Sequence, residues 1–302
     1  MKHLIMQNTS KVLMIRPVAF TYNAETAVNN SFQIVGNAES AQEKALQEFD
    51  ELVDKLNKNG IDVTVIDDTP IPHTPDSIFP NNWVSFHENG TVILYPMYAA
   101  NRRAERKFFD TLSKKFKPSN TIDLTEYEAE NIFLEGTGSM VLDRDNKIAY
   151  ACISPRTNKK VLEDFCNKMH YTACIFTAVD DKGAEIYHTN VMMCVADKYV
   201  VICLDSIKDN AEREHVKNAI GNSGKKIINI SAEQMNNFAG NMLQLQNKDG
   251  EKILVMSEQA YKALNNEQIS NLEKFNKIIY SDLSSIEING GGSARCMIAE
   301  VF

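Results

Sequence analysis

Apolar and polar positions along this chain follow one pattern that recurs five times. A turn-forming or polar residue leads into a short apolar run, a polar turn and a second apolar run, which predicts a β-hairpin. The first four hairpins span Asn82 to Met97, Gly138 to Ser154, Asn190 to Asp205 and Asn241 to Ser257, turning at Glu88-Asn89-Gly90, Asp143-Arg144-Asp145-Asn146, Ala196-Asp197-Lys198 and Asn247-Lys248-Asp249-Gly250. A fifth begins near Ser293 and holds only Cys296 to Phe302. The starts at 82, 138, 190, 241 and 293 lie 56, 52, 51 and 52 residues apart. A period near 50 implies a propeller-like or stacked array. The apolar run Lys11 to Ile15 is the candidate partner for the C-terminal strand, a pairing that would close a ring, remove two exposed edges and leave a single domain over residues 1–302.

Between the hairpins lie stretches with apolar residues at spacings of three and four, which predict amphipathic helices: Ala38 to Asn59, Ala99 to Lys115, Asn158 to Met169, Ile207 to Asn218 and Asn265 to Lys277. A pure four-stranded blade would not carry these helices. The expected architecture is therefore a five-fold pseudosymmetric α/β propeller of ββα-type repeats around a central site.

Composition narrows the function. Of 302 residues, 32 are basic and 40 acidic, a net charge of −8 that disfavours nucleic acid and anionic membranes as partners. No apolar stretch approaches the roughly 18 residues of a membrane span, and polar residues follow Met1-Lys2-His3-Leu4-Ile5-Met6-Gln7 before a signal-peptide core could form. A cytoplasmic protein is expected. Cys152, Cys174, Cys194 and Cys203 sit in apolar β-rich runs and Cys166 on a predicted helix, so these five read as core thiols; their spacing fits no zinc site. Neither a metal nor an organic cofactor is expected.

The sixth cysteine differs. Cys296 follows Asn289-Gly290-Gly291-Gly292-Ser293-Ala294-Arg295, and three glycines just before a thiol suggest a tight turn that delivers it to a defined place. Around a pseudo-axis, residues at equivalent hairpin entrances converge: Asn82, Glu135, His188, Asn190, Asn241 and Cys296. A thiol, an imidazole and a carboxylate from three repeats provide what nucleophilic catalysis requires. Trp83 reads as a core anchor. His3, His73, His87, His170 and His215 lack matched partners and read as surface or structural residues.

Phe79-Pro80-Asn81-Asn82-Trp83, Phe133-Leu134-Glu135-Gly136-Thr137-Gly138, Ile186-Tyr187-His188-Thr189-Asn190 and the glycine-rich Cys296 segment together resemble the guanidino-group modifying enzymes of the pentein fold, which include arginine deiminases and amidinotransferases. Within them the chain looks most like the citrulline-utilising hydrolases. The resemblance spans essentially the whole chain and implies Cys296 as nucleophile, His188 as general acid/base, and Glu135 as the partner of His188 or of a substrate nitrogen. It further implies attack of a Cys296 thiolate, stabilised by nearby positive charge, on a ureido carbon. An S-carbamoyl enzyme would follow, with loss of ornithine and then of carbon dioxide and ammonia. Arginine deiminases carry an Arg-Asp pair in place of Asn81-Asn82 and an aspartate in place of Asn190. Amides there keep the hydrogen-bonding shape without the charge, which favours a neutral substrate such as citrulline.

A free amino acid brings a carboxylate that needs cations. Arg102-Arg103 and Arg156, in Ser154-Pro155-Arg156-Thr157, resemble arginine-bearing segments of deiminases, although Arg102, Arg103 and Arg106 equally fit the solvated face of a helix. Asp76 either caps its loop or reaches the site. The alternatives are an arginine dihydrolase, since related N-succinylarginine dihydrolases also carry the first asparagine, an arginine deiminase, an enzyme for a peptidyl or otherwise modified substrate, and a non-catalytic binding protein like the ribosome-binding factor that shares the fold. A homo-oligomer stays open.

Overall fold

A computed structural model describes residues 6–35 and 38–302; His3 lies outside the described residues. The predicted hairpins are present, and each gains a third strand. The strands are β1 Lys11–Arg16, β2 Asp62–Asp67, β3 Val84–Phe86, β4 Thr91–Leu94, β5 Asn120–Asp123, β6 Val141–Asp143, β7 Ile148–Cys152, β8 Thr172–Phe176, β9 Met193–Val195, β10 Tyr199–Ile202, β11 Lys226–Asn229, β12 Leu243–Gln246, β13 Lys252–Ser257, β14 Lys277–Ser281 and β15 Ala299–Val301. They form five three-stranded sheets. In each, an antiparallel pair is followed by a helical crossover to a parallel strand, as when Val84 pairs with Leu94 and Thr91 with Asn120. The repeat is thus a ββαβ unit and not ββα.

The expected meeting of the chain's two ends occurs. β1 pairs antiparallel with β15, Lys11 opposite Val301 and Leu13 opposite Ala299, and parallel with β2. Burial falls from the inner strand outward. The first strands of the hairpins are buried almost throughout, whereas β2 and β5 hold only half-buried and exposed residues. Neighbouring sheets touch through inner strands: β15 lies against β3, and β9 lies against both β6 and β12. Helices cover the outer side, and between them and the sheets lies the core, where Trp83 packs with Leu13, Ile15 and Phe86. The five cysteines read as core thiols are buried, and burial pushes Cys166 up to about 11 and Cys152, Cys174 and Cys194 up to about 12.

Helix positions differ in detail from the periodicity. Helix Ala38–Lys58 ends as expected, and Lys159–Met169 begins after Asn158, whose side chain accepts from the Lys160 N–H. The predicted helix from Ile207 begins instead at Asn210, because Asp209 caps it by accepting from the Glu212 N–H. The stretch from Ala99 is broken into Ala100–Arg103, a 3-10 turn Ala104–Phe108 and Phe109–Phe116. A tighter turn eclipses positions three apart, which aligns Arg102 with Glu105.

Between each third strand and the next inner strand the chain makes a short helical turn, and close backbone approach sets its place. A Cβ built on Gly240 would stand 2.3 Å from the Val191 carbonyl oxygen, so this glycine lets the turn before β12 lie against the turn before β9. Gly240→Ala is expected to destabilise the protein by about 1–3 kcal/mol, as overpacking does. Gly221→Ala, in helix Asn210–Asn222 with open space around it, should be neutral or stabilising. Urea denaturation of the two variants checks this, and equal midpoints would refute the account.

Candidate active site

The short turns carry the candidate residues. Asn82 ends the 3-10 turn Pro80–Asn82 before β3, Glu135 caps Gly136–Ser139 before β6, and His188 caps Thr189–Met192 before β9 with Asn190 inside that turn. Asn241 lies just before β12. Cys296 closes a turn in which its N–H donates to the Ser293 carbonyl at 2.9 Å, after Gly291 has taken a φ of +63° at the end of helix Ser284–Gly290. Asp76, Asn82, Arg102, Arg156, His188 and Cys296 line one cavity of about 20 Å³.

His188 Nε2 lies 2.7 Å from Glu135 Oε2, with both groups buried. The other Glu135 oxygen accepts from the Tyr98 N–H at 2.9 Å, and Arg156 Nη1 stands 3.5 Å from Oε2. Burial pushes the Glu135 carboxyl upward, but Arg156 and the His188 hydrogen bond outweigh it and hold Glu135 well below the usual carboxylate range. An ionised carboxylate only accepts, so His188 carries its proton on Nε2 and presents an unprotonated Nδ1 on its other side. Room for Nδ1 depends on Gly138, where a Cβ would lie 2.9 Å from it and 2.3 Å from Asn82 Nδ2. Burial lowers the imidazole to about 4 despite Glu135, leaving His188 neutral at physiological pH.

The thiol is flanked by amides. Asn241 Nδ2 is 3.3 Å and Asn190 Nδ2 3.6 Å from Cys296 Sγ. Asn241 is fixed at both ends of its amide, because its oxygen accepts from the Arg295 N–H at 3.0 Å and its nitrogen also donates to the Asn190 carbonyl at 2.9 Å. Burial raises the Cys296 pKa above the ordinary 9.0, and the hydrogen bonds at Ser293 and Asn241 and the charge of Arg295 offset this only in part. In this structure burial thus favours the protonated thiol over the thiolate.

Arg102 is fully enclosed. Its guanidinium pairs with both Glu105 oxygens at 2.7 and 3.0 Å, donates to the Phe79 carbonyl at 3.1 Å, and donates from Nη1 to Asn82 Oδ1 at 2.8 Å. Asn82 Nδ2 is left buried without a partner, as is Asp76 Oδ1. Burial also raises the Asp76 pKa, against the pull of Arg102 and of hydrogen bonds from Asn23 and Thr26.

Among the residues singled out from sequence, Arg103 is the one the structure keeps away. On helix Ala100–Arg103 it turns outward from Arg102, donating to the Met97 carbonyl and lying over the Phe133 ring near Glu128, outside the cavity. Arg156 does reach the site. It is engaged there by a segment the periodicity did not flag, the strap from Asn23 to Gln33, where Arg156 donates to the Thr26 carbonyl and to Asn29 Oδ1. Asn23 and Thr26 bond Asp76 Oδ2, Asn30 donates to the Gly291 carbonyl, and Gln33 donates to the Asn289 carbonyl. Its only signal in the sequence is a run of amide and hydroxyl side chains, a composition that also describes ordinary loops. Tyr187, the residue before His188, donates its hydroxyl to the Gly291 carbonyl at 2.7 Å with its ring under the Arg156 guanidinium, a contact that nothing in the sequence marks.

Among the described residues no group of His, Cys, Asp or Glu side chains could hold a metal ion, and no helix is long and apolar enough to cross a membrane. Among proteins of curated function, none matches the sequence. Solved structures do match in fold. The cyanobacterial arginine dihydrolase ArgZ superposes at a TM-score of 0.77 with 18% identity over 96% of this chain and 40% of its own, so the chain spans two fifths of that relative. The N-terminal domain of ArgZ, in an asparagine-to-serine variant covalently bonded to a reaction intermediate, is covered to 97% at a TM-score of 0.76 and 18% identity. A dimethylarginine dimethylaminohydrolase, a histidine-to-glycine variant carrying an S-methyl-L-thiocitrulline adduct, is covered in full at 0.69 and 15%. The family described as N,N dimethylarginine dimethylhydrolase, eukaryotic, matches residues 16–302. The chain belongs to that family, and through it to the guanidino-group modifying superfamily.

Proposed function

We propose that this protein is a cysteine-dependent hydrolase acting on the ureido group of citrulline, with the five sheets as blades of one pentein propeller around the site. The observation that carries this reading is the orientation of Asn82. Arg102 claims its oxygen and leaves its N–H₂ group unpaired beside His188. Asn190 and Asn241 likewise aim N–H groups at the thiol. A ureido carbonyl accepts from such donors, whereas a guanidinium offers only donors of its own. Asp76, with one free oxygen, suits an α-ammonium, and Arg156 suits an α-carboxylate that takes over the bonds it makes to the strap.

In this mechanism His188 Nδ1 takes the Cys296 proton as Sγ attacks the ureido carbon, and Glu135 stabilises the imidazolium. The bond from that carbon to the side-chain nitrogen breaks, His188 returns the proton to that nitrogen, and ornithine leaves. Water then attacks the S-carbamoyl enzyme as His188 accepts its proton. The thiol is restored, and the released carbamic acid decomposes to carbon dioxide and ammonia. Fold likeness to an arginine dihydrolase favours one further reading: a guanidinium that loses one nitrogen to water becomes a ureido group, so arginine would reach ornithine through the same final step.

Purified protein is expected to release ornithine and ammonia from citrulline, with kcat falling at least about a thousandfold in Cys296→Ser. Release from arginine as well would assign the dihydrolase reading, arginine stopping at citrulline would assign a deiminase, and turnover of neither would leave a modified substrate, such as an N-methylated arginine, or a binding protein. Asn82→Asp should lower kcat/KM for citrulline by about 10- to 100-fold, because a carboxylate then faces the ureido oxygen. Unchanged citrulline kinetics in that variant would remove the basis for preferring a neutral substrate. Since the thiol pKa lies above 9.0, iodoacetamide labelling of Cys296 should climb from neutral pH to beyond 9 before levelling. A plateau already reached at neutrality would mean a resting thiolate.

A further inference from the structure

Glu287 is a buried carboxyl that the chemistry above does not use. It lies in helix Ser284–Gly290, directly before the glycine turn, and it holds that turn in two ways. Its backbone carbonyl accepts from the Gly291 N–H at 2.9 Å, and its Oε1 accepts from the Ser293 hydroxyl at 2.6 Å. Ser293 in turn accepts, through its carbonyl, the N–H groups of Cys296 at 2.9 Å and Met297 at 3.3 Å. A short relay therefore runs from the Glu287 carboxyl through Ser293 to the residue bearing the thiol. The second oxygen, Oε2, is buried with no partner within hydrogen-bond distance.

Among the described residues no cation forms a salt bridge with this carboxyl. Glu48 approaches from helix Ala38–Lys58, its two oxygens occupied by the Ser285 and Ile286 N–H groups, and Asp282 precedes the Glu287 helix. Ser257 faces it from the end of β13, and Asp180, Asp181 and Lys182 stand across an adjoining cleft. An anion in this place would be both desolvated and repelled by its neighbours.

We propose that Glu287 is a positioning residue for Cys296, acting through Ser293, and that charge at this carboxyl sets the reactivity of the thiol. The inference rests on the reading of Cys296 as the nucleophile. Burial, opposed by Ser257 and Ser293 and reinforced by Glu48 and Asp282, raises the Glu287 carboxyl to about 7. The sign follows: below pH 7 the group is neutral, and above it a negative charge, to which the Ser293 hydroxyl still donates, appears behind the turn and disfavours the thiolate.

The test measures citrulline kinetics and, independently of any substrate, the rate at which iodoacetamide labels the Cys296 peptide, in wild type, Glu287→Gln, Glu287→Ala and Ser293→Ala. Glutamine keeps the acceptor without the charge. The two alanine variants should lose about tenfold in kcat with KM within about twofold, and Glu287→Gln should retain wild-type kcat. Labelling of Glu287→Gln should match wild type near pH 6 and exceed it by about threefold near pH 8.5, where wild-type Glu287 is ionised. Equal labelling of Glu287→Gln and wild type at both pH values would overturn the proposal. So would alanine variants with wild-type kcat. Wild type silent on every ureido and guanidino substrate would refute the catalytic reading, while the labelling comparison would still decide whether Glu287 governs the thiol.

Discussion

The ion pair between Arg102 and Glu105 is the contact on which the chemistry of this site depends. It is enclosed, it uses both carboxylate oxygens, and it leaves one guanidinium nitrogen to bind the Asn82 oxygen. Breaking such a pair by removing one partner typically costs about 3–5 kcal/mol, so Arg102 is not free to turn elsewhere. With Arg102 fixed, a flipped Asn82 would set an N–H₂ group against a guanidinium, two donors facing each other. The amide therefore presents its nitrogen to the cavity. A side chain whose preference is ambiguous in sequence becomes directional through a guanidinium that its own ion pair holds in place.

A second constraint is geometric. Inner strands buried on both faces leave no room there for a catalytic side chain, so the polar groups emerge from the short turns that feed those strands. Such turns can approach one another only where side chains are missing. Gly138 clears space for His188 Nδ1, and Gly240 lets the Asn241 turn reach the Asn190 carbonyl. The site is thus assembled from five separate stretches, and its precision rests on backbone contacts that a single methyl group would disrupt.

These two constraints explain what the sequence reveals and what it hides. Hairpins were legible because their strands are almost wholly apolar and their turns carry Asn, Asp and Gly; the 50-residue period then aligned Glu135, His188, Asn241 and Cys296 without any contact being known. The third strands escaped notice, since Asp62–Asp67 and Asn120–Asp123 are short, edge-exposed and broken by polar residues. Choosing between Arg102 and Arg103 was beyond periodicity, because a break into 3-10 geometry changes which of two adjacent residues faces inward. The strap from Asn23 to Gln33 was hidden for a different reason: its contacts are hydrogen bonds from amides and hydroxyls to partners up to 261 residues away, and such bonds leave no pattern along the chain.

The strap also bears on reactivity. Its bonds to Asp76, Arg156 and Gly291 border the cavity that His188 and Cys296 line, and they help to keep both groups away from solvent. Burial drives the thiol up and the imidazole down, which opposes proton transfer from Cys296 to His188. A polar group placed beside them would relax both shifts, because desolvation is the largest cause of each. The Glu135 carboxylate, kept ionised by Arg156, is placed to stabilise a protonated His188. If the substrate is neutral, as proposed, it brings no anion of its own to the imidazolium, and the stabilisation comes from Glu135, whose charge offsets the opposing pull of Arg156 on His188.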